Sequence, residues 1–449
     1  MVCSKPTLFQ SEQLTFEPYH HNLDNNLNFS PDSKWLVYDT RDHERGIGDT
    51  RRIEKVNLNV GNKLVLYDAP DYVASQGPGV AAASYFLQSD SALETLTGWG
   101  NSNRIIFIHG PRTESGLAYA KARRFGAIIP DDGSAQMIIA DARDVVQPFT
   151  PGALRGGTHR HEPLPGDGKW IGFTYNDFVM KEYGDRIGKH LDLRTIGVTR
   201  LGHPVAVEPD ARGENWSGIG FSALVVKVVP EPKPDADEIS NAAGDSWIGW
   251  NGYLKPDGTR QLARAFIGTL ANGHSEVFIV DIPDDITLAG SEGPLEGTAT
   301  SFPMPPRGTV QRRLTTTKIG CMGVVRSHPD GRFLCYRSGD ANGDWQLFLI
   351  PPQGGKPSQL TAVDGGVATE GRWRPDGEFI VFAARKRICI VGADPQKESF
   401  MRVKPLTQEL SDEPENIIWS PDRRTIAFNM LIDGFQQIFI LHPLPDELL

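Results

Sequence analysis

The side chains best suited to proton transfer in this chain are histidines close to apolar runs. His159 and His161 lie two residues apart in the segment Arg155-Gly-Gly-Thr-His-Arg-His. Residues i and i+2 of a strand point to the same side, so this pair could act as metal ligands or as an acid/base couple. The structural alternative is that one ring bonds to a neighbouring element while the other is solvated.

A third histidine, His109, ends the apolar run Ile-Ile-Phe-Ile-His and is followed by Gly-Pro. This pattern predicts a strand that stops in a turn, with the imidazole at the rim of the fold, where it is either catalytic or bonded to backbone as a cap. Tyr175 also follows a strand-like run and precedes Asn176 and Asp177. That tyrosine is either a proton donor or part of a supporting turn. The predicted catalytic residues are His109, His159, His161 and Tyr175.

Several arginines occur at comparable strand ends, and a guanidinium group forms paired hydrogen bonds with planar anions. They predict a site for a carboxylate, although a structural salt bridge is the alternative for each arginine taken singly. The predicted substrate-binding residues are Arg41, Arg112, Arg155, Arg337, Arg372 and Asn176. Candidate ligands for a metal ion are His21, Asp24, Glu370 and Glu415.

A repeated triplet indicates the architecture that would bring these positions together. Leu-Thr, preceded by a variable residue, recurs at Leu314, Leu360 and Leu406, a spacing of 46 residues. Each copy is followed by a Pro-Asp turn and then an apolar run. A repeat of this length, made of strands and turns, is typical of a β-propeller blade.

A fourth triplet, at Leu14, precedes the turn Ser30-Pro-Asp-Ser near the N-terminus. It predicts a ring whose last blade is closed by the N-terminal strand. We therefore expect an all-β fold, a single-domain seven-bladed β-propeller over residues 1–449. The expected blades are approximately 15–75, 78–145, 150–212, 213–310, 314–358, 360–404 and 406–449 plus the N-terminal strand.

In such a ring the inner strands line a central channel, and loops from several blades meet at each mouth. The residues before each inner strand and after each second strand share one mouth. Since the candidate residues occupy these positions, we expect their side chains to converge on one cavity.

The composition limits the classes of partner. The net charge is −10, and nucleic-acid binding needs a basic face, so no nucleic-acid partner is predicted. No apolar run approaches the roughly 20 residues of a membrane helix, and Met1-Val-Cys-Ser-Lys lacks a signal-peptide core. The sequence predicts a cytoplasmic monomer without a membrane partner, and leaves secretion by another route open. Buried thiols are expected at Cys3, Cys321, Cys335 and Cys389, which lack CxxC spacing.

The Leu-Thr triplets and the pattern Ser30-Pro-Asp-Ser-Lys-Trp-Leu-Val-Tyr resemble TolB-like propellers. Further motifs are similar both to a little-characterised bacterial TolB-like family and to the fungal L-rhamnose-α-1,4-D-glucuronate lyases. These motifs are Phe-Ile-His109-Gly-Pro, Leu-Arg155-Gly-Gly-Thr-His-Arg-His with Phe-Thr-Tyr175-Asn-Asp, and Pro234-Asp-Ala-Asp-Glu-Ile. Together they extend over most of the chain.

This resemblance implies a polysaccharide lyase acting on a carbohydrate substrate. It would release L-rhamnose from rhamnosyl-α-1,4-glucuronate ends of gum-arabic-type arabinogalactan and leave an unsaturated uronate. It also implies a histidine catalyst, carried over to His109 first and then to His159 and His161, and a structural calcium ion in the ring centre. In such a β-elimination a base removes the C5 proton while an arginine or a cation neutralises the carboxylate.

Two alternatives remain at this point. One is a non-catalytic TolB-like binding module, which predicts exposed apolar residues at the channel mouth. The other is a metal-dependent oligogalacturonate-type lyase, whose resemblance implies Mn²⁺ held by several histidines.

Overall fold

The computed structural model of the protein describes residues 8–23, 27–42, 46–69, 78–87, 94, 97–99, 102–111 and 116–444. Seven antiparallel sheets follow one another along these residues as the blades of a single propeller. The predicted all-β, seven-bladed fold is therefore confirmed.

Blades one to three occupy the first half of the ring. Blade one contains β2 (Trp35–Asp39), β3 (Arg52–Asn57) and β4 (Lys63–Asp68). Blade two contains β5 (Ala81–Tyr85), β6 (Arg104–His109), β7 (Phe125–Pro130) and β8 (Ile138–Ile139). Blade three contains β9 (Gly156–Pro163), β10 (Trp170–Asp177), β11 (Arg194–Val205) and β12 (Gly218–Leu224).

Blades four to seven complete it. Blade four contains β13 (Asn241–Trp247), β16 (Ala263–Thr269), β17 (Ser275–Asp281) and β18 (Val310–Arg313), with a side hairpin of β14 (Tyr253–Leu254) and β15 (Arg260–Gln261). Blade five contains β19 (Cys321–Ser327), β20 (Leu334–Gly339), β21 (Trp345–Ile350) and β22 (Ser358–Gln359). Blade six contains β23 (Arg372–Trp373), β24 (Phe379–Ala384), β25 (Arg387–Gly392) and β26 (Val403–Pro405). Blade seven contains β27 (Glu415–Trp419), β28 (Ile426–Ile432), β29 (Phe435–Leu441) and the N-terminal β1 (Glu12–Gln13).

Helical structure is sparse in the described residues. Two 3-10 turns, Ile47–Asp49 and Lys121–Arg123, lie in connections between strands. Helix α1 (Phe178–Ile187) follows β10, and the Asp177 side chain caps it by accepting a hydrogen bond from the Met180 amide. None of the helices that the structure describes has both the length and the apolar character needed to cross a lipid bilayer.

Ring closure joins the two ends of the chain. Glu12 pairs with Ile440 and Gln13 with Phe439, so β1 is the fourth strand of blade seven. This pairing occupies a sheet edge that would otherwise be exposed. The predicted closure by the N-terminal strand is confirmed.

The Leu-Thr triplets recur because their threonines perform the same structural task. In each of four blades the threonine hydroxyl accepts a hydrogen bond from a backbone amide of the third strand, just where the fourth strand leaves the sheet. The pairs are Thr15 with Ile438, Thr315 with Val277, Thr361 with Leu347 and Thr407 with Ile388. The hydroxyl thereby satisfies an amide that has lost its ladder partner.

The two faces of each sheet pack against the neighbouring blades. Phe107 of β6 belongs to a cluster with Tyr67 of blade one, whereas the adjacent Ile106 packs with Ile171 of blade three. Since successive side chains of a strand point to opposite faces, blade-to-blade packing consumes both faces. The channel therefore receives side chains mainly from loops and from irregular positions of the inner strands.

One predicted boundary is wrong. Blade three runs to Leu224, because β12 is its outer strand, and the inner strand of blade four is Asn241–Trp247. The expected border at residues 212 and 213 divided this sheet before its fourth strand. Blade three has no Leu-Thr triplet, and its 12-residue strand β11 places the outer strand late in the sequence.

Three of the four cysteines are unpaired and buried, as expected, namely Cys321, Cys335 and Cys389. Burial raises the pKa of the Cys389 thiol to about 11, which disfavours the reactive thiolate. Cys3 lies outside the described residues.

A buried histidine beside the ring closure should make the fold sensitive to acid. The His21 ring stacks on Tyr19 with centroids 4.4 Å apart, and the His21 amide donates to the Gln436 carbonyl at 2.8 Å. Burial lowers the pKa of His21 to about 4, although a Glu17 oxygen lies 3.3 Å from Nε2. Desolvation of the buried ring thus outweighs this partly exposed carboxylate.

The unfolded chain takes up this proton near pH 6.5, but the folded chain does so only near pH 4. The resulting stability is complete above pH 6.5 and is lost as the pH falls, by about 2 kcal/mol between pH 7 and 5 for this group. A His21→Phe variant keeps an aromatic ring but does not titrate, so urea unfolding should show a correspondingly smaller loss on acidification. Equal losses in the two proteins would contradict this account.

Candidate functional site

The inner strands depart from regular pairing at one level of the channel. In five blades, two or more consecutive residues of the inner strand lie opposite a single residue of the second strand. In each of these bulges, one inner-strand residue has a positive φ. A bulge of this kind bends the strand and redirects its side chains. The residues with positive φ are Ala82, Arg160, Gly244, Gly323 and Asn416.

One of these bulges requires glycine because neighbouring blades approach closely. A Cβ atom on Gly244 would lie 2.1 Å from the Gly323 carbonyl oxygen. Arg160 and Asn416, with φ of 52° and 49°, adopt the left-handed conformation despite their side chains. Such a residue costs on the order of 1–3 kcal/mol, so the fold maintains strain at the channel wall.

Four of the predicted residues come together at the upper mouth, the end of the channel where the inner strands begin. Glu370, Arg372 and Glu415 line one cavity of about 210 Å³ together with Asn416. An Arg372 Nη2 donates to Glu370 Oε1 at 3.4 Å. Arg337 lies near Glu370, and its Nη2 donates to the Val367 carbonyl at 3.0 Å. These four predicted residues therefore lie close together at this mouth.

The same region was expected to hold a calcium ion. Among the described residues, no group of three or more histidine, cysteine, aspartate or glutamate side chains is arranged to hold a metal. Glu415 already accepts a hydrogen bond from Gln436, and His21 is enclosed by aromatic rings. Asp24 lies outside the described residues. Of the four candidate ligands, Glu370 and Glu415 line this cavity.

His159 is the centre of a second polar cluster, at the junction of blades two and three. Its Nδ1 accepts a hydrogen bond from Arg124 Nη1 at 3.0 Å, and its Nε2 lies 3.2 Å from Asn176 Oδ1. Because arginine only donates, Nδ1 must be the acceptor and Nε2 must carry the hydrogen. The amide of Asn176 is oriented in turn by Asp192, to which its Nδ2 donates at 2.8 Å.

Two further side chains extend this cluster. Arg124 Nε donates to the Tyr119 hydroxyl oxygen at 2.8 Å, and Arg194 Nε donates to Asn176 Oδ1 at 3.4 Å. We call Tyr119, Arg124, His159, Asn176 and Arg194 the blade-three cluster.

Electrostatics keep the imidazole of the cluster uncharged. Burial, reinforced by the positive charges of Arg124 and Arg194, lowers the pKa of His159 well below its usual value. Burial and the charge of Arg124 also lower the pKa of Arg194. Neither guanidinium group lies within 4.0 Å of a carboxylate oxygen in the part of the chain that the structure describes. Two cations and a neutral imidazole are the features of an anion site next to a base.

His161 is separated from His159 by the Arg160 bulge, which breaks the strand alternation, so its ring joins the Thr158 side chain on the face toward blade two. The predicted shared side is therefore wrong. His161 Nε2 is 2.9 Å from Thr158 Oγ1 and 3.9 Å from Asp141 Oδ1, and the ring is 1% exposed. Burial lowers the pKa of His161 to about 3 and raises that of Asp141 to about 7. Both shifts oppose the charged forms, so burial outweighs ion pairing in this contact. The expectation that both rings face the channel is wrong, because sheet faces point to neighbouring blades.

His109 lies between blades one and two. Its Nε2 is 2.9 Å from the Tyr67 hydroxyl, its Nδ1 is 2.9 Å from the Gly110 carbonyl, and the ring stacks on Phe125. The side chain is 2% exposed. The expectation that His109 meets His159 and His161 in one mouth is therefore wrong, since β6 directs it into the packed interface with blade one.

Arg155 and Tyr175 form a structural clamp rather than an open site. Arg155 Nη2 donates to Asp177 Oδ2 at 2.8 Å, and the Tyr175 hydroxyl donates to the same oxygen at 3.1 Å. The guanidinium group also donates to the carbonyls of Thr298 and Ser301, in the long connection between β17 and β18. Burial and the Asp177 charge raise the pKa of Tyr175 well above its usual value, so this phenol stays protonated. The side chains of Arg155, Tyr175 and Asp177 are fully buried, which is contrary to the predicted convergence on the mouth.

Arg41 lies near the start of blade one, with Nη2 3.6 Å from the buried Asp39 carboxylate. Arg112 lies outside the described residues. Sequence reasoning missed Tyr119, Arg124 and Arg194 because they lie in connections or at the start of a third strand. The signal that could have found Arg124 is its position directly before the apolar run of β7.

The fold and site define a seven-bladed propeller with charged residues at its channel mouth, and comparisons with known proteins agree with that class. An oligogalacturonate lyase solved in complex with manganese superposes with a TM-score of 0.53 at 11% identity, covering 99% of this chain and 98% of that chain. A puromycin hydrolase mutant complexed with PGG gives 0.51 at 12% identity, covering 95% of this chain and 53% of that chain. At these identities the likeness concerns the fold alone.

Sequence comparison identifies the family. The chain is 36% identical over 322 residues to the uncharacterized protein YidR of Escherichia coli strain K12, which covers 70% of this chain and 68% of YidR. The chain belongs to the same family as YidR. Residues 96–214 match the family described as Protein of unknown function (DUF3748). All members of the blade-three cluster lie within that segment.

The clamp generates a prediction about stability. Arg155→Met leaves the Asp177 carboxylate buried without its cation, so the free energy of unfolding should fall by about 3–5 kcal/mol. Urea unfolding measures this loss, and limited proteolysis should show faster cleavage between residues 283 and 309. Adding Asp177→Asn removes the uncompensated charge and should restore part of the loss. A double variant less stable than Arg155→Met would argue against this explanation.

Proposed function

We propose that the protein is a polysaccharide lyase that cleaves next to a uronate by β-elimination. The observation that carries this proposal is the blade-three cluster, where two guanidinium groups without an ion-pair partner among the described residues flank a neutral histidine. An incoming sugar carboxylate would supply the anion that these groups lack.

Arg124 and Arg194 are proposed to bind the uronate carboxylate. Neutralising that charge makes the C5 proton more acidic and stabilises the enediolate that develops as the proton leaves. Arg124 now donates to His159 Nδ1. If its Nη1 turns to the substrate carboxylate, it releases the lone pair of Nδ1.

His159 is proposed as the base. Its Nε2 hydrogen is directed to Asn176, which leaves Nδ1 as the nitrogen that takes the C5 proton. The electron pair of the C5–H bond then forms the C4–C5 double bond, and the bond from C4 to the leaving oxygen breaks. The product is an unsaturated uronate.

Tyr119 is the proposed proton donor to the leaving oxygen. Its hydroxyl oxygen accepts hydrogen bonds from Arg124, so its own hydrogen remains available for donation. His159 is thus assigned the uptake of a proton and Tyr119 the donation of one. Arg124 hydrogen-bonds to both residues.

The proposed substrate is a rhamnosyl-α-1,4-glucuronate end, from which L-rhamnose would be released. The resemblance carried by the motifs around Arg155 and Tyr175 favours this substrate. Oligogalacturonate is the second candidate, favoured by the overall likeness to an oligogalacturonate lyase. A non-catalytic binding module is the third reading, and the polar character of the upper mouth argues against it.

The test is the ultraviolet absorbance of the C4–C5 double bond, followed separately on rhamnosyl-glucuronate and on oligogalacturonate. Loss of the base in His159→Gln should lower kcat by about 10²–10⁴-fold. Because its pKa is low, His159 stays unprotonated below pH 6.5, where a histidine ordinarily takes up a proton. We therefore expect kcat/KM to stay constant as the pH falls below 6.5.

His109→Gln is the matched control, because it alters another buried histidine while keeping a group that can bond Tyr67. It should retain nearly full activity. Full activity of His159→Gln, or loss of activity only in His109→Gln, would refute the assignment. Absence of ultraviolet product from both substrates would refute the lyase proposal itself.

A further inference from the structure

The lower mouth of the channel, where the inner strands end, contains a second cavity. It has a volume of about 150 Å³ and lies between the Pro-Asp turns of several blades. Its walls include four tryptophans, which are Trp247, Trp250, Trp373 and Trp419. Flat aromatic faces at this density suit a ring-shaped ligand with an apolar face.

Arg326 provides the polar floor of this cavity. Its side chain is 5% exposed, and Nη1 donates to Glu162 Oε1 at 3.4 Å. Nε and Nη2 have no hydrogen-bond partner in the described part of the chain. These two nitrogens form one edge of the guanidinium plane, the edge that binds both oxygens of a carboxylate at once.

Two more residues that line the cavity have a donor without a partner among the described residues, namely Arg372 with Nη1 and Trp419 with Nε1. Among the residues that line this cavity, the buried side-chain polar atoms without a partner in the described part of the chain are therefore all N–H donors. A ligand that satisfies them must present acceptors, and a carboxylate presents two acceptor oxygens in one plane, which match the paired edge of a guanidinium group.

The surroundings of Arg326 strengthen this requirement. Burial lowers the pKa of Arg326, and the nearby positive charge of Arg160 lowers it further. Glu162 offsets these effects in part, but it also accepts a hydrogen bond from Arg264 at 3.0 Å. The carboxylate that bonds Arg326 is thus shared between two guanidinium groups, while the charges of Glu370 and Asp245 also raise the pKa of Arg326.

We propose that the lower mouth is a binding site for a small ring-bearing carboxylate, whose carboxylate lies on the Nε–Nη2 edge of Arg326 and whose ring packs between the tryptophans. The site shares Arg372 with the upper cavity but uses no member of the blade-three cluster. It is therefore distinct from the proposed lyase site.

The test is calorimetric titration of the full chain, with tryptophan fluorescence as a second readout. The probes are D-glucuronate and benzoate, each matched with a neutral ring compound, D-glucose and benzyl alcohol. Binding of an acid but not of its neutral partner is expected. Preference for glucuronate identifies a sugar acid, and preference for benzoate identifies an aromatic acid. Failure of both acids to bind at millimolar concentration would overturn the proposal.

Two variants locate the site. Arg326→Lys keeps the charge but loses the paired edge, and should weaken binding by about tenfold or more. Trp250→Ala removes one wall at a residue that is 42% exposed, so it tests the site without disturbing the core if Arg326→Lys fails to fold. If both variants fold and bind the acid as tightly as the wild type, the proposal is overturned. If Arg326→Lys does not fold, unchanged affinity in Trp250→Ala alone overturns it.

Arg385→Lys is the matched control, because Arg385 is an exposed arginine that pairs with Asp364 on the surface. This variant should bind the acid with the affinity of the wild type. His159→Gln should bind the acid normally at the lower mouth. The two proposals can therefore fail separately.

Discussion

The structure depends on one packing constraint, which is that each blade must cover both of its faces with neighbouring blades. A single four-stranded sheet exposes two apolar faces, and stacking around a closed ring buries them. The apolar clusters run from blade to blade, as the contacts of Ile106 and Phe107 on opposite faces of β6 show. Side chains at regular inner-strand positions therefore pack between blades and stabilise the fold. The channel is lined by the exceptions to this regular pairing.

The inner-strand bulges are these exceptions. They place Arg160 and Asn416 in a backbone conformation that glycine would adopt more easily, and they bring the Gly244 bulge against Gly323 of the next blade. Strain of this kind persists only where the surrounding structure holds it in place. Its repetition at one level of the ring explains how a uniform fold acquires a polar channel.

Buried arginines have two different roles in this ring. Arg155 and Arg143 join separate segments, since Arg155 donates to Asp177 and Arg143 Nη2 donates to Glu214 at 3.0 Å. Arg124 and Arg194 have no such carboxylate partner among the described residues, and Arg326 has only a shared one. An arginine is structural in this ring where protein groups accept the hydrogen bonds of its guanidinium group. It is a candidate ligand-binding group where some of these donors have no acceptor. The difference lies in the contacts and is not visible in the residue type.

The sequence by itself determined the ring, its closure and the spacing of the later blades. The Leu-Thr triplets report a local hydrogen bond that must recur wherever a fourth strand leaves its sheet, and local patterns of this kind are readable in one dimension. Strand alternation predicted a shared side for His159 and His161, but the bulge at Arg160 breaks that alternation. Only the tertiary structure decided which blade each side chain faces, and so separated His109, His159 and His161. It likewise selected Arg124 and Arg194, because whether a guanidinium group finds a carboxylate depends on segments that are distant in the chain.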